Sequence, residues 1–330
     1  MTTSPLHSPS GQLMSIAEAA RRIESGGVFS VAGEEALLRQ LPRGNWIGGT
    51  IPYFMNRDGG RATHEQVFVT ELERFGETPR IRFHDLSSIG QLCIEAPDNG
   101  YSLLVIPAFS ALHSHYARNA PSFEDMFVKP VIGWISGVHL DRLGESAPAV
   151  INGQTGEVDA ERAIVMHLPL PPERYARVEI INRFEQGDGD RIRFHETGFS
   201  VEDCLINGTP TRLADYLRGN DIDLTHPLVA DYSGAMINVS FKGIDAETGR
   251  VDFYAPVFAD VEYRLARTRA DAATLHGVET GTIAFSCNCV LNFVYDALEG
   301  RSTGRFTGPI TFGEIAFLLL NQTLVYLVIE

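Results

Sequence analysis

A cysteine-rich stretch near the end of the chain has the residue types that could support chemistry. Residues 285–292 read Phe-Ser-Cys-Asn-Cys-Val-Leu-Asn, and their pattern predicts a short buried strand that leads into a helix. A thiol at the amino end of a helix can have a lowered pKa, because free backbone N–H groups and the helix dipole stabilise the thiolate. Cys287 and Cys289 could therefore contact a ligand, act as a nucleophile or metal ligand, or simply line the core.

The surroundings of these two thiols favour binding over catalysis. A zinc site usually needs four ligands in two spaced pairs, and the sequence offers one close pair. A nucleophilic cysteine needs a partner base, and no spacing singles out a histidine for that role. The hydrolase elbow, the zincin motif and the kinase signatures are absent from the sequence. We therefore predict no catalytic residues and a protein that is not an enzyme.

Two histidines form a second candidate site. His113 and His115 lie at the end of a predicted helix that follows Pro107. Histidine is a common ligand of metals and of haem iron, which makes a haem site one interpretation. Residues at i and i+2 project to different faces of a helix, so polar residues at a helix end are the simpler interpretation.

A glycine-dense segment in the first half could bring the backbone close to a ligand. Residues 44–50 read Gly-Asn-Trp-Ile-Gly-Gly-Thr, which matches neither the dinucleotide-binding fingerprint nor the P-loop. Glycines at a strand end permit close approach of a ligand, and they equally permit tight turns. Gly48, Gly49 and Thr50 are therefore kept as candidates for ligand contact.

The elements around these candidates predict an α/β (mixed α+β) fold in which mixed sheets are flanked by helices. Ser15 with Glu18 three residues later forms a capping box that predicts the first helix. Asn207-Gly208 predicts a turn, followed by a helix that Thr209-Pro210 opens and that runs through Leu217. Predicted strands cover residues 28–32, 46–51, 67–70, 103–106, 131–135, 235–241, 251–254, 282–286 and 324–329.

Composition and charge exclude several kinds of partner. The chain of 330 residues has a formal net charge of −15, and no cationic track is present to neutralise the phosphates of a nucleic acid or an anionic membrane. Four irregularly spaced cysteines do not form a disulfide scaffold, and neither a secretory signal nor a membrane span is apparent. We therefore expect a cytoplasmic protein with reduced thiols and without nucleic-acid or membrane partners.

Several of these stretches together resemble the FIST domain family. The ending Gly-Pro-Ile-Thr-Phe-Gly-Glu-Ile-Ala at 308–316, followed by Leu-Asn-Gln-Thr-Leu-Val at 320–325, resembles the end of FIST domains. Ala-Phe-Ser-Cys-Asn at 284–288 and Asn-Gly-Thr-Pro-Thr-Arg-Leu at 207–213 resemble further elements of its C-terminal module. Ile-Gly-Gly-Thr at 47–50 and Pro-Val-Ile-Gly at 130–133, followed by Ser136-Gly137, resemble the glycine elements of its N-terminal module.

The resemblance implies a stand-alone intracellular sensory protein made of two modules. We expect a flexible N-terminus at 1–12, an N-terminal module at 13–160 and a C-terminal module at 161–330. FIST domains are regarded as sensors of small ligands, and some are associated with haem. No output domain is apparent, so a signal would pass to a separate protein partner. Cys289 stands where the family pattern has an arginine, which puts contact with an anionic ligand there in doubt.

The predicted ligand site combines residues from both halves of the chain. The predicted ligand is an amino acid or a similar polar metabolite, bound without a cofactor or metal. Asn288 and Asn292 would form hydrogen bonds with it, and Glu314 would pair with a cationic group. The alternatives are a cysteine-dependent enzyme that uses Cys287 or Cys289, a haem sensor that uses His113 or His115, and a purely structural interaction protein. The residues expected around the ligand are Gly48, Gly49, Thr50, Cys287, Asn288, Cys289, Asn292, Glu314 and Asn321.

Overall fold

A computed structural model of the chain describes residues 11–232, 235–259, 261–270 and 282–330. Strands account for 46% and helices for 14% of the described residues. The protein is therefore mostly β-sheet, with several mixed sheets, and an α+β class describes it better than the α/β class. The predicted mixed sheets are confirmed, whereas helices are fewer and shorter than the alternation of apolar runs and turns suggested.

The secondary structure consists of short helices among many strands. The helices are α1 (Ile16–Glu24), α2 (Glu35–Leu38), α3 (Ala111–Asn119), α4 (Leu213–Gly219) and α5 (Val290–Tyr295). The strands as far as residue 182 are β1 (Gln12–Met14), β2 (Val28–Gly33), β3 (Asn45–Thr50), β4 (Tyr53–Asn56), β5 (Gly59–Ala62), β6 (Val67–Leu72), β7 (Arg80–His84), β8 (Gly100–Pro107), β9 (Val131–Ser136), β10 (Val150–Asn152), β11 (Glu157–Asp159), β12 (Ala163–Pro169) and β13 (Ala176–Asn182). The strands that follow are β14 (Phe184–Gln186), β15 (Ile192–Arg193), β16 (Gly198–Val201), β17 (Asp203–Ile206), β18 (Thr209–Arg212), β19 (Leu228–Tyr232), β20 (Ala235–Val239), β21 (Phe241–Ile244), β22 (Val251–Val257), β23 (Glu262–Thr268), β24 (Thr282–Cys289), β25 (Gly308–Thr311), β26 (Glu314–Ala316), β27 (Leu318–Leu320) and β28 (Thr323–Ile329). None of the helices in the described part of the chain combines the length and the apolar character that a membrane crossing requires.

The chain forms two compact units. The first takes in the chain as far as Ile180, the segment that ends at Leu319, and Leu324–Glu330. The second takes in the segment that begins at Ile181, together with Leu320–Thr323. The module boundary predicted at 160/161 from the family resemblance stays a prediction, since compact units and family modules are different divisions of a chain. The predicted flexible segment 1–12 lies outside the described residues except for Gly11 and Gln12, and Gln12 begins β1.

Each of the three six-stranded sheets contains one parallel strand pair among its described pairings. The strand orders are β1-β6-β2-β3-β10-β11, β27-β26-β9-β8-β12-β7 and β13-β28-β24-β25-β4-β5. The parallel pairs are β2–β3, β8–β9 and β24–β25, and their connections contain α2, α3 and α5. A parallel pair needs a crossover connection, usually through a helix, so three β-α-β units organise the first unit.

The second unit packs a seven-stranded and a three-stranded sheet around its own core. The three-stranded sheet has the order β16-β22-β21, and α4 contributes Leu213 and Leu217 to the apolar cluster. The core also holds Phe241, Phe253 and Tyr263, which are almost fully buried. This core contains no residue of the cysteine-rich stretch.

Several local predictions are confirmed, and one is wrong. Ser15 caps α1 in a capping box with Glu18, and the strand predicted at 324–329 is present as β28, which is buried along its whole length. The helix predicted to open at Thr209-Pro210 begins only at Leu213, because Asn207 and Gly208 form a two-residue turn of positive φ. Such a turn joins the antiparallel strands β17 and β18, so residues 209–212 are held in a strand.

Glycine is required at one contact inside the first unit. Gly49 lies in β3, and a Cβ atom there would stand 2.7 Å from the Trp134 ring, 2.7 Å from a Val105 methyl carbon and 3.1 Å from Ser136 Cβ. Trp134, Val105 and Ser136 belong to β8 and β9 of another sheet. The missing side chain therefore lets two sheets of the first unit pack closely.

We expect Gly49→Ala to destabilise the first unit by about 1–3 kcal/mol, because an added methyl group overpacks the contact with Trp134. Urea unfolding followed by tryptophan fluorescence measures this, since both tryptophans, Trp46 and Trp134, lie in the first unit. Gly90→Ala is the control, because its nearest neighbour would lie at an ordinary 3.9 Å. Equal urea midpoints for the two variants would contradict the packing argument.

Candidate functional site

The cysteine-rich stretch lies mostly in a strand. The helix predicted to begin after Cys287 begins at Val290, because β24 continues to Cys289. Parallel pairing of Asn288 with Ile310 and of Cys289 with Thr311 holds this end of the strand extended. The thiol of Cys287 is therefore not at a helix terminus, and the helix-dipole argument for a lowered pKa does not apply to it.

Five buried polar side chains gather where β24, α5, β25 and β26 meet. We call this group the polar cluster, and its members are Cys287, Asn288, Asn292, Thr311 and Glu314. Their exposed fractions are 2%, 5%, 6%, 0% and 0% in the same order. All five belong to the first compact unit. The sequence-based prediction thus brought together four residues that the structure also brings together, and it missed Thr311.

Hydrogen bonds connect the amide and hydroxyl groups of the cluster. Asn288 Oδ1 accepts hydrogen bonds from the Cys289 N–H at 2.8 Å and from Asn292 Nδ2 at 2.9 Å. The Thr311 hydroxyl lies 3.0 Å from the Gly313 carbonyl, 3.3 Å from the Asn288 carbonyl and 3.4 Å from Glu314 Oε1. Thr311 therefore links the amide side of the cluster to its carboxyl group.

Glu314 is the ionisable carboxyl group of the cluster. It is fully buried and lies in β26 directly opposite Trp134 of β9. Moving a carboxylate out of water costs several kcal/mol, which is comparable to the whole free energy of unfolding of a typical domain. A buried glutamate close to a thiol and a hydroxyl is therefore a candidate for a functional residue.

The Cys287 thiol is held in its protonated form. It donates to the Gly133 carbonyl at 3.4 Å. Burial raises the pKa of Cys287 well above its usual value, and the nearby Glu314 carboxyl raises it further. The thiolate is the nucleophilic form of cysteine, so this environment opposes nucleophilic activity at neutral pH.

The three candidates of the first half lie in or at the end of β3. A Cβ atom at Gly48 would stand 2.8 Å from the Val31 carbonyl oxygen, and Gly49 faces Trp134 as described above. The Thr50 hydroxyl accepts a hydrogen bond from the Ala149 N–H at 2.9 Å. Protein atoms thus occupy the space beside all three residues, and their contact with a ligand stays a prediction.

Asn321 belongs to the second compact unit. It is buried, and its Nδ2 donates to the Leu320 carbonyl at 3.1 Å. Its own carbonyl accepts a hydrogen bond from Asn238 Nδ2 at 3.1 Å. The backbone of Asn321 is thus part of a polar network in the second unit.

The two histidines proposed as haem ligands lie on α3. His113 Nδ1 accepts from the Phe109 N–H at 3.2 Å, and burial lowers the pKa of His113 to about 4. His115 lies beside Phe123, with ring centroids 6.1 Å apart. Because the two residues are two positions apart on a regular helix, they point to different faces and cannot both bind one metal ion.

A sequence model of a family of unknown function, DUF6976, matches residues 14–330. The chain belongs to this family. No curated protein matches the sequence. The functional argument for this member of DUF6976 therefore depends on its own residues and their geometry.

A second polar group was missed by the sequence analysis. His84 of β7, His167 of β12 and Glu95 form the cluster of potential metal ligands found among the described residues, with one ligand atom from each side chain within 4.8 Å of the others. We call this group the histidine cluster. His84 lies in the alternating strand β7 and His167 in the mostly apolar strand β12. Neither pattern indicates the other strand, and only the antiparallel pairing of β7 with β12 brings the two histidines together.

We expect native protein to react slowly with a thiol reagent at pH 7, and unfolded protein to expose all four thiols. All four cysteines are buried, and burial raises the pKa of Cys93 and of Cys204 to about 11. The measurement is the rate of reaction with Ellman's reagent with and without denaturant. Rapid modification of one native thiol, mapped by peptide mass spectrometry to Cys287 or Cys289, would instead support a cysteine-dependent enzyme.

We expect His113→Asn to reduce the loss of stability at acid pH. The folded-state pKa of His113, about 4, lies below the usual value of 6.5, so the unfolded chain binds the proton first as pH falls. His113 therefore lowers the free energy of unfolding by about 1–2 kcal/mol at pH 5, and it has no effect above about pH 7. Urea midpoints at pH 7 and pH 5 measure the difference, and an asparagine amide oxygen can still accept the Phe109 N–H bond. An unchanged pH dependence in the variant would show that His113 is not the group responsible.

Proposed function

We propose that this protein binds a small metabolite that carries an ammonium group, such as an amino acid, at the polar cluster. Full burial of the Glu314 carboxyl carries the proposal. In this proposal an ammonium group of the ligand pairs with the Glu314 carboxylate, and attraction between opposite charges is strong where water is excluded.

The rest of the polar cluster offers further ligand contacts. Asn288 and Asn292 present amide groups, and Thr311 presents a hydroxyl within 3.4 Å of Glu314 Oε1. A few polar groups within an apolar surround are typical of small-molecule sites. The near-complete burial of the cluster implies that a bound ligand is enclosed, so the site must open for exchange.

The resemblance to FIST domains supports a sensory role for such a site. In this proposal the N-terminal module at 13–160 and the C-terminal module at 161–330 together act as a cytoplasmic sensor. The signal passes to a separate protein partner. The raised pKa of Cys287 supports binding over cysteine-dependent catalysis.

A thermal-shift screen of the common amino acids and short primary amines tests the ligand class. We expect one group of compounds to raise the melting temperature, because a ligand at 100 times its Kd adds about 2.7 kcal/mol to the unfolding free energy. Trp134, directly opposite Glu314, provides an independent fluorescence readout. Carboxylic acids without an ammonium group should produce no shift.

Glu314→Gln separates ligand binding from stability. The substitution removes the charge and keeps an oxygen that can accept the Thr311 hydroxyl, so the variant should fold and lose the ligand-induced shift. Glu24→Gln, at an exposed position of α1, is the matched control and should bind as the wild type does. Equal ligand shifts in Glu314→Gln and wild type, or no shift in wild type and no extra mass in native mass spectrometry, would overturn the proposal.

A further inference from the structure

The histidine cluster combines two buried imidazoles with one partly exposed carboxylate. His84 is 0% and His167 is 1% exposed. His84 Nε2 lies 3.8 Å from Glu95 Oε2, and the Glu95 side chain is 26% exposed. One edge of the cluster is therefore open to solvent, and the rest is enclosed by the first unit.

Hydrogen bonds at the other ring nitrogen orient both imidazoles. His84 Nδ1 lies 3.1 Å from the Ser88 carbonyl, which can only accept, so this nitrogen carries the proton. His167 Nδ1 lies 2.8 Å from the Ser102 hydroxyl. Both contacts involve Nδ1, so Nε2 is the ring nitrogen that can bind another partner in each histidine. In neutral His84 the proton is on Nδ1, and Nε2 therefore carries a lone pair. An imidazole fixed by a backbone or side-chain oxygen at one nitrogen is the usual arrangement of a metal-binding histidine.

Neither Nε2 atom has a hydrogen-bond partner among the residues that the structure describes. Leaving a buried polar atom without a hydrogen bond is energetically unfavourable, and this cluster holds two such atoms. Both rings are buried, and burial disfavours the charged imidazolium form. A neutral imidazole is the form that binds metal ions.

We propose that His84, His167 and Glu95 bind one divalent transition-metal ion of the zinc, cobalt or ferrous class. Two imidazole nitrogens and one carboxylate oxygen suit these ions, whereas magnesium and calcium prefer oxygen ligands alone. Ligand atoms about 2.0–2.2 Å from the ion lie up to about 4.2 Å apart, so the observed spread closes with a movement of roughly 1 Å. Three protein ligands leave a coordination position for water or for a ligand from solvent.

Two arginines of β7 place positive charge beside this site. Arg82 Nη1 lies 2.7 Å from Glu95 Oε2, and Arg80 donates to the Glu95 carbonyl. Their charges oppose a cation. Oε2 is the Glu95 oxygen in both the Arg82 contact and the His84 contact, and a carboxylate oxygen has two lone pairs, so it can accept from Arg82 and also bind the metal. The two neutral imidazoles then provide most of the affinity. This proposal departs from the sequence-based expectation of a protein without a metal.

The metal proposal is independent of the proposed ligand site. The histidine cluster comes from β7, β12 and the segment after β7, whereas the polar cluster comes from β24–β26 and α5. Glu314→Gln should therefore leave metal binding unchanged, and loss of metal should not by itself abolish the ligand-induced thermal shift. Either proposal can fail without the other.

Titration with cobalt(II) tests the site directly. Full-length protein is stripped with a chelator, dialysed and titrated with cobalt(II) while visible absorption is recorded. We expect the spectrum of nitrogen-bound cobalt to saturate at one equivalent. Zinc should displace the cobalt, and a large excess of magnesium should not. Elemental analysis after dialysis against zinc measures the stoichiometry, and the metal should also raise the melting temperature.

Substitutions that keep the Nδ1 contact identify the ligands. His84→Asn and His167→Asn place an amide near Nδ1 and remove Nε2, and each should weaken metal binding at least ~100-fold. His195→Asn, at an exposed histidine of the second unit, is the control and should change nothing. Wild-type protein that binds no cobalt or zinc after stripping, or equal losses in His195→Asn and His167→Asn, would overturn the proposal. If the cluster variants do not fold, the wild-type stoichiometry and competition decide the question.

Discussion

Close packing around β9 is the constraint on which the first unit depends. β9 pairs in parallel with β8 and antiparallel with β26, and it also contacts a neighbouring sheet through Trp134. Gly133 has no room for a side chain, since a Cβ atom would stand 1.8 Å from the Leu104 carbonyl oxygen, and Gly49 receives the Trp134 ring. The Gly133 carbonyl of β9 accepts the hydrogen bond from the Cys287 thiol. Trp134 of the same strand lies directly opposite Glu314 of β26. The polar cluster can therefore form only where these strands meet closely.

The buried polar groups of the first unit are of two kinds. Asn288, Thr311 and Thr50 have backbone or amide partners, which removes most of the cost of their burial. The Nε2 atoms of His84 and His167 have no such partner in the described part of the chain. The first kind stabilises strand ends and can exist without a ligand. The second kind leaves a cost that a bound ion would remove, and for this reason the histidine cluster is the stronger indication of a site.

The three β-α-β units of the first compact unit share one local pattern. In each unit an apolar strand is followed by a helix and then by a parallel strand that contains glycine, at Gly48-Gly49, Gly133 and Gly308. The sequence indicates the apolar runs and the glycines separately, and it leaves open whether the glycines of 44–50 serve ligand approach or tight turns. In the structure the Cβ positions of Gly133 and Gly308 point at backbone atoms of adjacent strands, 1.8 Å from the Leu104 oxygen and 1.9 Å from the Ser286 oxygen. These glycines permit strand packing, and the helices of the units are too short to make the protein helix-rich.

The sequence by itself determined features that depend on neighbouring residues. These include the capping box at Ser15, the helix that follows Pro107, the turn at Asn207-Gly208 and the final strand, because capping, turn geometry and apolar runs are local properties. It also grouped Cys287, Asn288, Asn292 and Glu314, which lie in two nearby segments. Only the tertiary structure decided that the Thr311 hydroxyl links Glu314 to the Asn288 carbonyl, and that His84 and His167 converge on Glu95. Those contacts follow from the pairing of strands that are far apart in sequence, and the residue pattern of one strand does not indicate which strand it pairs with.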